Sequence, residues 1–266
     1  MKPVISVELM RQSDAHTIKT KTSSKELMFR AGKSVFESCN FGENTAIVCG
    51  SGNNAGDGYV IALCLHDAGK KCRLILTSDK FSQDGMYYFE KCQKAGIPYE
   101  YADENTSFEM FTDIADCIFG TGFKGAPRGI TADIIDKINS SGKRVVSVDI
   151  NSGLNGDNGN YEKCVRSHVT ASIGYLKTGF FLGSANEVVG SIINLDIGID
   201  LTEKGYLLIE SRDALPRYQM EVPYPEENNP IEELIEISLK ENKIVKSRNI
   251  IANGRDVMIC QGEIWK

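Results

Sequence analysis

Along residues 7–20 and again along 24–39, apolar positions return every three or four residues. Leu27, Met28, Ala31, Val35 and Phe36 form one such stripe, and the spacing predicts two amphipathic helices. The pattern then changes. A short apolar run over 45–50 (TAIVCG) predicts a strand, and a glycine-rich turn carries it into a helix over about 57–68 that Gly69 stops. The alternation continues with strand 72–77, helix 82–95, strands 98–101 and 115–120, helix 130–140 and strand 144–149. Beyond a polar Gly/Asn loop come a strand over 169–173, an apolar helix-like stretch ending near Val189, and a strand over 191–196. Apolar strands alternating with amphipathic helices make a parallel sheet, because right-handed crossovers lay helices on both of its faces. The expected fold class is α/β: a Rossmann-like three-layer αβα sandwich with a mostly parallel sheet, preceded by two N-terminal helices.

Around Arg212 this rhythm is lost. Pro216, Pro223, Pro225 and Pro230 follow closely with acidic residues between them, which reads as a linker or a surface wrap. After it, residues 231–242 suit one helix, and Asn253-Gly254 suits the turn of a hairpin. We therefore expect a domain over 1–210 and a linker with a tail over 211–266. The balance of 41% hydrophobic and 25% charged residues excludes collagen-like, disordered and coiled-coil chains. A net charge of −6 with scattered Lys and Arg argues against a nucleic-acid or membrane partner and favours a small molecule. The 8 cysteines are irregularly spaced without a C-x-x-C pair, and only 3 histidines are present, so spacing assembles neither a zinc site nor a redox motif. Reduced, packed thiols are expected. Residues 1–10 lack the features of a leader and no run is long enough to span a bilayer, so a cytoplasmic location is expected rather than export.

In an open α/β sheet ligands bind beyond the carboxyl ends of the strands, and several loops stand out there. The first is Gly50-Ser51-Gly52-Asn53-Asn54-Ala55-Gly56-Asp57-Gly58. Its glycines permit close backbone approach, and a helix N-terminus offers free N–H groups to an anion. It is not a P-loop, because Asp57 stands where a Lys is needed. Instead, two amides and a carboxylate offer oxygens to a monovalent cation or to sugar hydroxyls. The plainer alternative makes Asn53 and Asn54 left-handed turn residues and Asp57 a helix cap. A second loop, residues 120–129, follows a strand that Asp116 starts, and is suited to wrapping a phosphate or ribose. The third is Asp149-Ile150-Asn151-Ser152-Gly153, whose carboxylate ends a buried apolar strand and needs a ligand, a cation or N–H groups to solvate it. Lys177 lies at the next strand end, where by itself it reads as a surface lysine.

Taken together, GSGNNAGDG (50–58), DCIFGTGFKGAPRG (116–129), DINSG (149–153) and KTG (177–179) resemble the YjeF N-terminal family, the NAD(P)H-hydrate epimerases. The opening segments SVELMRQSDAHTI and ELMFRAG share the likeness, which runs over about residues 4–209. The resemblance implies a hydrated dinucleotide, NADHX or NADPHX, as substrate. Its contacts would be Asn53, Asn54, Ala55, Gly56 and Asp57, then Gly120, Thr121, Gly122, Phe123, Lys124, Gly125 and Ala126, together with Asp149. It also implies one K+ per subunit held by Asn54, Asp116 and Ser152, a catalytic acid/base at Asp149, Lys177 as its electrostatic partner, and a homodimer. Two positions depart from the family pattern: Ala55 replaces a glycine, and Asn151 replaces a proline, which removes a φ constraint ahead of Ser152.

The family often carries a second, nucleotide-dependent dehydratase domain. Arg212-Asp213-Ala214-Leu215-Pro216-Arg217 resembles its entry, but no glycine-rich nucleotide motif follows, and no dehydratase is expected. Two rival readings stand. A conventional NAD(P)-dependent oxidoreductase would use Gly50, Gly52 and Ala55, but lacks a clear acidic residue closing the second strand. A related domain acts as a non-catalytic dimeric scaffold in an mRNA-decapping protein, and retention of Asp116, Asp149 and Ser152 favours the enzyme.

Overall fold

Each apolar run read as a strand is one in the computed structural model, which describes residues 2–203, 206–210, 250–252 and 255–261. The chain opens on an unpredicted strand, β1 (Lys2–Ile5), followed by α1 (Val7–Thr20) and α2 (Ser24–Cys39). Ser6 and Ser23 cap the two helices, their hydroxyls accepting from the backbone N–H of Leu9 and Glu26 at 3.2 Å. Next come β2 (Asn44–Cys49), α3 (Asn53–Asp67), β3 (Lys71–Leu76), α4 (Gln83–Lys94), β4 (Tyr99–Tyr101) and β5 (Asp113–Cys117). Then follow α5 (Ile130–Ser140), β6 (Arg144–Val148), β7 (Val169–Ile173), β8 (Leu176–Lys177) and β9 (Ser191–Leu195).

Seven strands form one parallel sheet in the order β4-β3-β2-β5-β6-β7-β9. Alternate side chains serve its two faces. Ile47, Leu74, Ala115 and Val148 pack with α2, α3 and α4, whereas Val48, Ile75, Ile114 and Val145 pack with α5 and with Phe108 and Phe111. The result is the expected layered α/β fold. The chain reverses its direction of travel across the sheet between β2 and β5, and a crevice opens there at the strands' carboxyl ends.

Three local expectations are corrected. Helix α3 starts at Asn53, not near Asp57, so the amide pair is its first turn. Asp116 is the fourth residue of the five-residue β5 instead of its first, because pairing with β2 begins at Asp113. The apolar stretch before Val189 is β8 followed by two short 3-10 turns, Thr178–Phe181 and Ala185–Glu187. Gly183, at φ 53°, separates these turns and stops a helix from running through.

A second sheet joins the two ends of the chain. Strands β10 (Tyr206–Glu210), β11 (Ile250–Ala252) and β12 (Arg255–Gln261) order it as β11-β12-β10-β1-β8. β11 and β12 are antiparallel, with Ala252 opposite Arg255, as the hairpin reading expected, while its Asn253-Gly254 turn lies outside the described residues. The proline-rich linker and the helix expected over 231–242 also lie outside them. Among the described residues no helix is long and apolar enough to cross a membrane, and Cys39, Cys49, Cys64, Cys72, Cys92, Cys117 and Cys164 are free.

Candidate functional site

The crevice is a cavity of about 600 Å³. Its strand-end wall begins at β2, where the chain must turn tightly into α3: a Cβ on Gly50 would stand 2.1 Å from the Ile118 carbonyl oxygen of the neighbouring strand's exit. Gly58 lets α3 sit down on the sheet, since a Cβ there would meet the thiols of Cys49 and Cys117. Asn53 and Asn54 are helical, not left-handed, and Gly52 is the helix cap, which removes the turn-and-cap account of Asn53, Asn54 and Asp57.

Beneath this turn lies a polar cluster. Asp116 is fully buried on β5; Oδ2 accepts from Ser147 Oγ at 2.8 Å and Ser152 N–H at 3.0 Å, and Oδ1 from Ser152 Oγ at 2.5 Å. Burial still pushes its carboxyl above the usual range, against these hydrogen bonds. Ser152 Oγ also accepts from Phe119 N–H at 2.9 Å. Asn54 is 5% exposed; Nδ2 donates to the carbonyls of Phe119 (2.9 Å) and Val148 (3.1 Å), and Oδ1 has no partner. Asn54, Asp116 and Ser152, expected to act together, are thus adjacent.

Asp149 follows β6 directly and has φ 65°, a backbone region that non-glycine residues rarely occupy. Ile150 N–H donates to the Val148 carbonyl at 2.8 Å, closing a tight turn with Asp149 at its apex. That turn aims the carboxylate at the cavity. Oδ2 accepts from Thr121 N–H at 3.1 Å, and Lys177 Nζ donates to Oδ1 at 2.6 Å. Lys177 is not the surface lysine its sequence context suggested: it is fully buried, and Nζ also donates to the Ile173 carbonyl (2.8 Å) and Ser172 Oγ (3.2 Å). β8 holds it there by pairing with β1, Lys177 opposite Ile5.

Asp57 also lines the cavity. Burial, reinforced by Asp149 and Asp14, pushes its carboxyl well above the ordinary range, with Lys177 opposing. Of the 120–126 loop, Gly120, Thr121, Gly122 and Phe123 reach the cavity wall, with Phe123 stacked on Phe119 at 3.9 Å between ring centroids. Lys124, Gly125 and Ala126 lie further along the loop, outside that wall, and Ala55 and Gly56 are buried in the packing of α3.

The family profile described as YjeF-related protein N-terminus matches residues 24–179, more than half of the chain. The chain belongs to that family. Among its relatives is a protein of Lentilactobacillus buchneri named NAD(P)H-hydrate epimerase, 34% identical over 208 residues that cover 75% of this chain and 96% of that protein. The bifunctional NAD(P)H-hydrate repair enzyme Nnr of Escherichia coli is 34% identical over 183 residues, but the chain spans only 35% of its length. The crystal structure of the yeast protein YNL200c has the same fold, with a TM-score of 0.62 at 21% identity over 72% of this chain and 86% of that one.

Within the YjeF-related family pattern, both departures of this chain are absorbed. Ala55 is in the first turn of α3 and not among the residues of positive φ, so its Cβ brings no strain. Asn151 replaces the rigidity of proline with a buried side-chain latch: Nδ2 lies 2.9 Å from the Val165 carbonyl and 3.0 Å from that of Val188, and Oδ1 accepts from Thr170 Oγ1 at 2.7 Å. The helical wall of the cavity escaped the sequence reading altogether. Val7, Met10, Arg11 and Asp14 of α1 and Leu27 and Met28 of α2 build it. The available signal was Asp14, a carboxylate on the stripe of α1 that also carries Val7 and Met10.

Proposed function

We propose that the chain is an NAD(P)H-hydrate epimerase, an isomerase that interconverts the R and S forms at C6 of hydrated NADH and NADPH. Asp149 carries this reading: a carboxylate held in a rare backbone conformation, ion-paired to a buried lysine and turned into a cavity of dinucleotide-binding position. A bare scaffold has no use for that arrangement. It accompanies a likeness that covers 96% of a protein named for this activity and 75% of this chain.

The substrate's diphosphate suits the first turn of α3, whose N-terminal N–H groups are free to receive an anion, with the 120–123 segment closing the other side. At C6 a hydroxyl sits beside the ring nitrogen. A positioned carboxyl can protonate it as it departs, and a carboxylate can then stabilise the resulting cation and draw a proton from incoming water. Lys177 fixes Asp149 for that work through a short, buried ion pair.

The residues also fit a potassium ion. Asn54 Oδ1 is a buried acceptor with no partner, and turning the amide over would set Oδ1 against the Phe119 and Val148 carbonyls, three oxygens that a cation would reconcile. With Asp116 and Ser152 alongside, this is an amide, hydroxyl, carbonyl and single-carboxylate donor set, suited to a hard monovalent cation. When bound, the ion would supply positive charge beneath the dinucleotide loop. A homodimer and a cytoplasmic location complete the reading and are checked by light scattering and by cell fractionation.

The test mixes the purified protein with the R hydrate, with and without potassium, and follows the S form by chromatography. Acceleration that potassium strengthens is expected, and Asp149→Asn should lower kcat by about 10²–10⁴-fold. No acceleration over the spontaneous rate would refute the reading.

A further inference from the structure

We propose that Asp14 on α1 is a second acid–base group of this site, reaching the substrate from the helical wall while Asp149 reaches it from the strand ends. This inference rests on the epimerase reading and deepens it. Asp14 lines the same cavity as Asp149 but is supplied by a different layer of the fold. Among the described residues its carboxylate accepts no hydrogen bond and forms no ion pair, although it is partly buried. Arg11, the cation three residues before it on α1 and on the same cavity wall, is committed to Glu8 through bonds of 3.0 and 2.7 Å. The other charged groups around the cavity are Asp57 on α3, Asp84 on α4 and Asp149, with Lys177 behind Asp149. Burial first and Asp149 second push the Asp14 carboxyl above the ordinary range, toward a form that can give a proton.

The helix that carries Asp14 is fixed. Val7 N–H donates to Asp157 Oδ1 at 2.7 Å, the Ser13 and Thr202 hydroxyls meet at 3.3 Å, and Asp200 N–H donates to Thr17 Oγ1 at 2.9 Å. A carboxyl on a helix fixed in this way, lining the cavity and without a partner among the described residues, is placed to meet a ligand.

Epimerisation at C6 through a cation needs proton chemistry on both faces of the ring. In one direction, the Asp14 carboxyl gives its proton to the C6 hydroxyl and the C6–O bond breaks, its electron pair leaving with water. The nitrogen lone pair forms the C6=N bond. A second water then adds its oxygen to C6 from the other face, the C=N pair returns to nitrogen, and the Asp149 carboxylate takes the proton that water releases. One water leaves, one enters, and one proton has passed from Asp14 to Asp149. The reverse reaction exchanges the roles, and proton exchange with solvent resets the pair.

The test compares wild-type, Asp14→Asn and Asp14→Glu full-length proteins with R and S hydrate as separate starting materials, across pH. For Asp14→Asn, kcat should fall about 100-fold or more in both directions with KM little changed, and the kcat–pH profile should lose one limb. Asp14→Glu should recover part of kcat together with that limb, a rescue that a merely structural role would not produce. If Asp14→Asn does not fold, as judged by circular dichroism, the glutamate variant carries the test alone: the limb must persist while kcat falls about tenfold. An active wild type with Asp14→Asn within twofold of it at every pH, or, where that variant does not fold, with an Asp14→Glu profile that lacks the limb, overturns the role of Asp14 and leaves the epimerase reading standing. An inactive wild type overturns both.

Discussion

Asp57 illustrates what a single residue costs the fold at this site. Its carboxyl is pushed well above the ordinary range by burial and by Asp149 and Asp14, so the native state holds the proton more tightly than the unfolded chain does. Protonation therefore favours folding. That contribution is complete below the unfolded value of about 4 and is lost as pH rises from there through the raised native value. Asp57→Asn should consequently raise Tm at pH 7 and change it little at pH 4, while impairing turnover because the side chain faces the cavity. Melting curves of the two proteins at both pH values check this, and an equal Tm at pH 7 would contradict it. Side chains of this kind were partly legible in sequence. Asp149 could be singled out because a carboxylate closing a run of valines needs compensation. Lys177 could not, since nothing in GYLKTG shows that β1 will bury it; only the pairing of Ile5 with Lys177, 172 positions apart in the chain (177 − 5), does so.

At the scale of elements, periodicity located the strands of the parallel sheet and the first two helices, because each buries a regular face. It misplaced the start of α3, as glycines and asparagines carry no hydrophobic rhythm, and it extended an apolar run into a helix where glycines impose short turns. The helical wall of the site was invisible for another reason: which face of α1 closes a cavity is decided by packing, not by the helix itself. The segment after β6 shows how an element's position can rest on one side chain. Asn151 ties it to the 165–170 stretch and to Val188, and Ser152, next in the chain, bonds Asp116. Asn151→Ala would remove bonds to the buried Val165 and Val188 carbonyls and to the Ser167 and Thr170 hydroxyls; Val188 keeps the Ser167 N–H and the two hydroxyls keep each other, so the Val165 carbonyl bears most of a cost of about 1–3 kcal/mol. Urea denaturation should register that loss. On the proposed potassium site, the variant should also need more potassium for full activity, because the backbone that presents Ser152 has lost this tie; unchanged stability would mean that water replaces the amide.

For the whole molecule, the point of consequence is that both ends of the chain share one sheet and that this sheet carries Lys177. β1 lies between β10 and β8, antiparallel to the first and parallel to the second, so the N-terminal residues join the two. Neither relationship is written in local sequence: four residues are too few to show a period, and their partners come more than 170 positions later, Leu176 opposite Val4 and Lys177 opposite Ile5 being equally the nearest. Val4 and Ile5 are fully buried, each worth about 1.5–3 kcal/mol in burial alone. Removing residues 1–5 should therefore destabilise the protein by at least about 3–6 kcal/mol and release β8. Because Lys177 reaches Asp149 from β8, kcat should fall by more than the loss of folded protein explains, whereas the strands and loops proposed to bind the dinucleotide belong to the other sheet, so binding should persist. Turnover per folded molecule, measured beside dinucleotide binding, separates the two effects. A truncated protein with wild-type kcat would show that β8 holds Lys177 without β1.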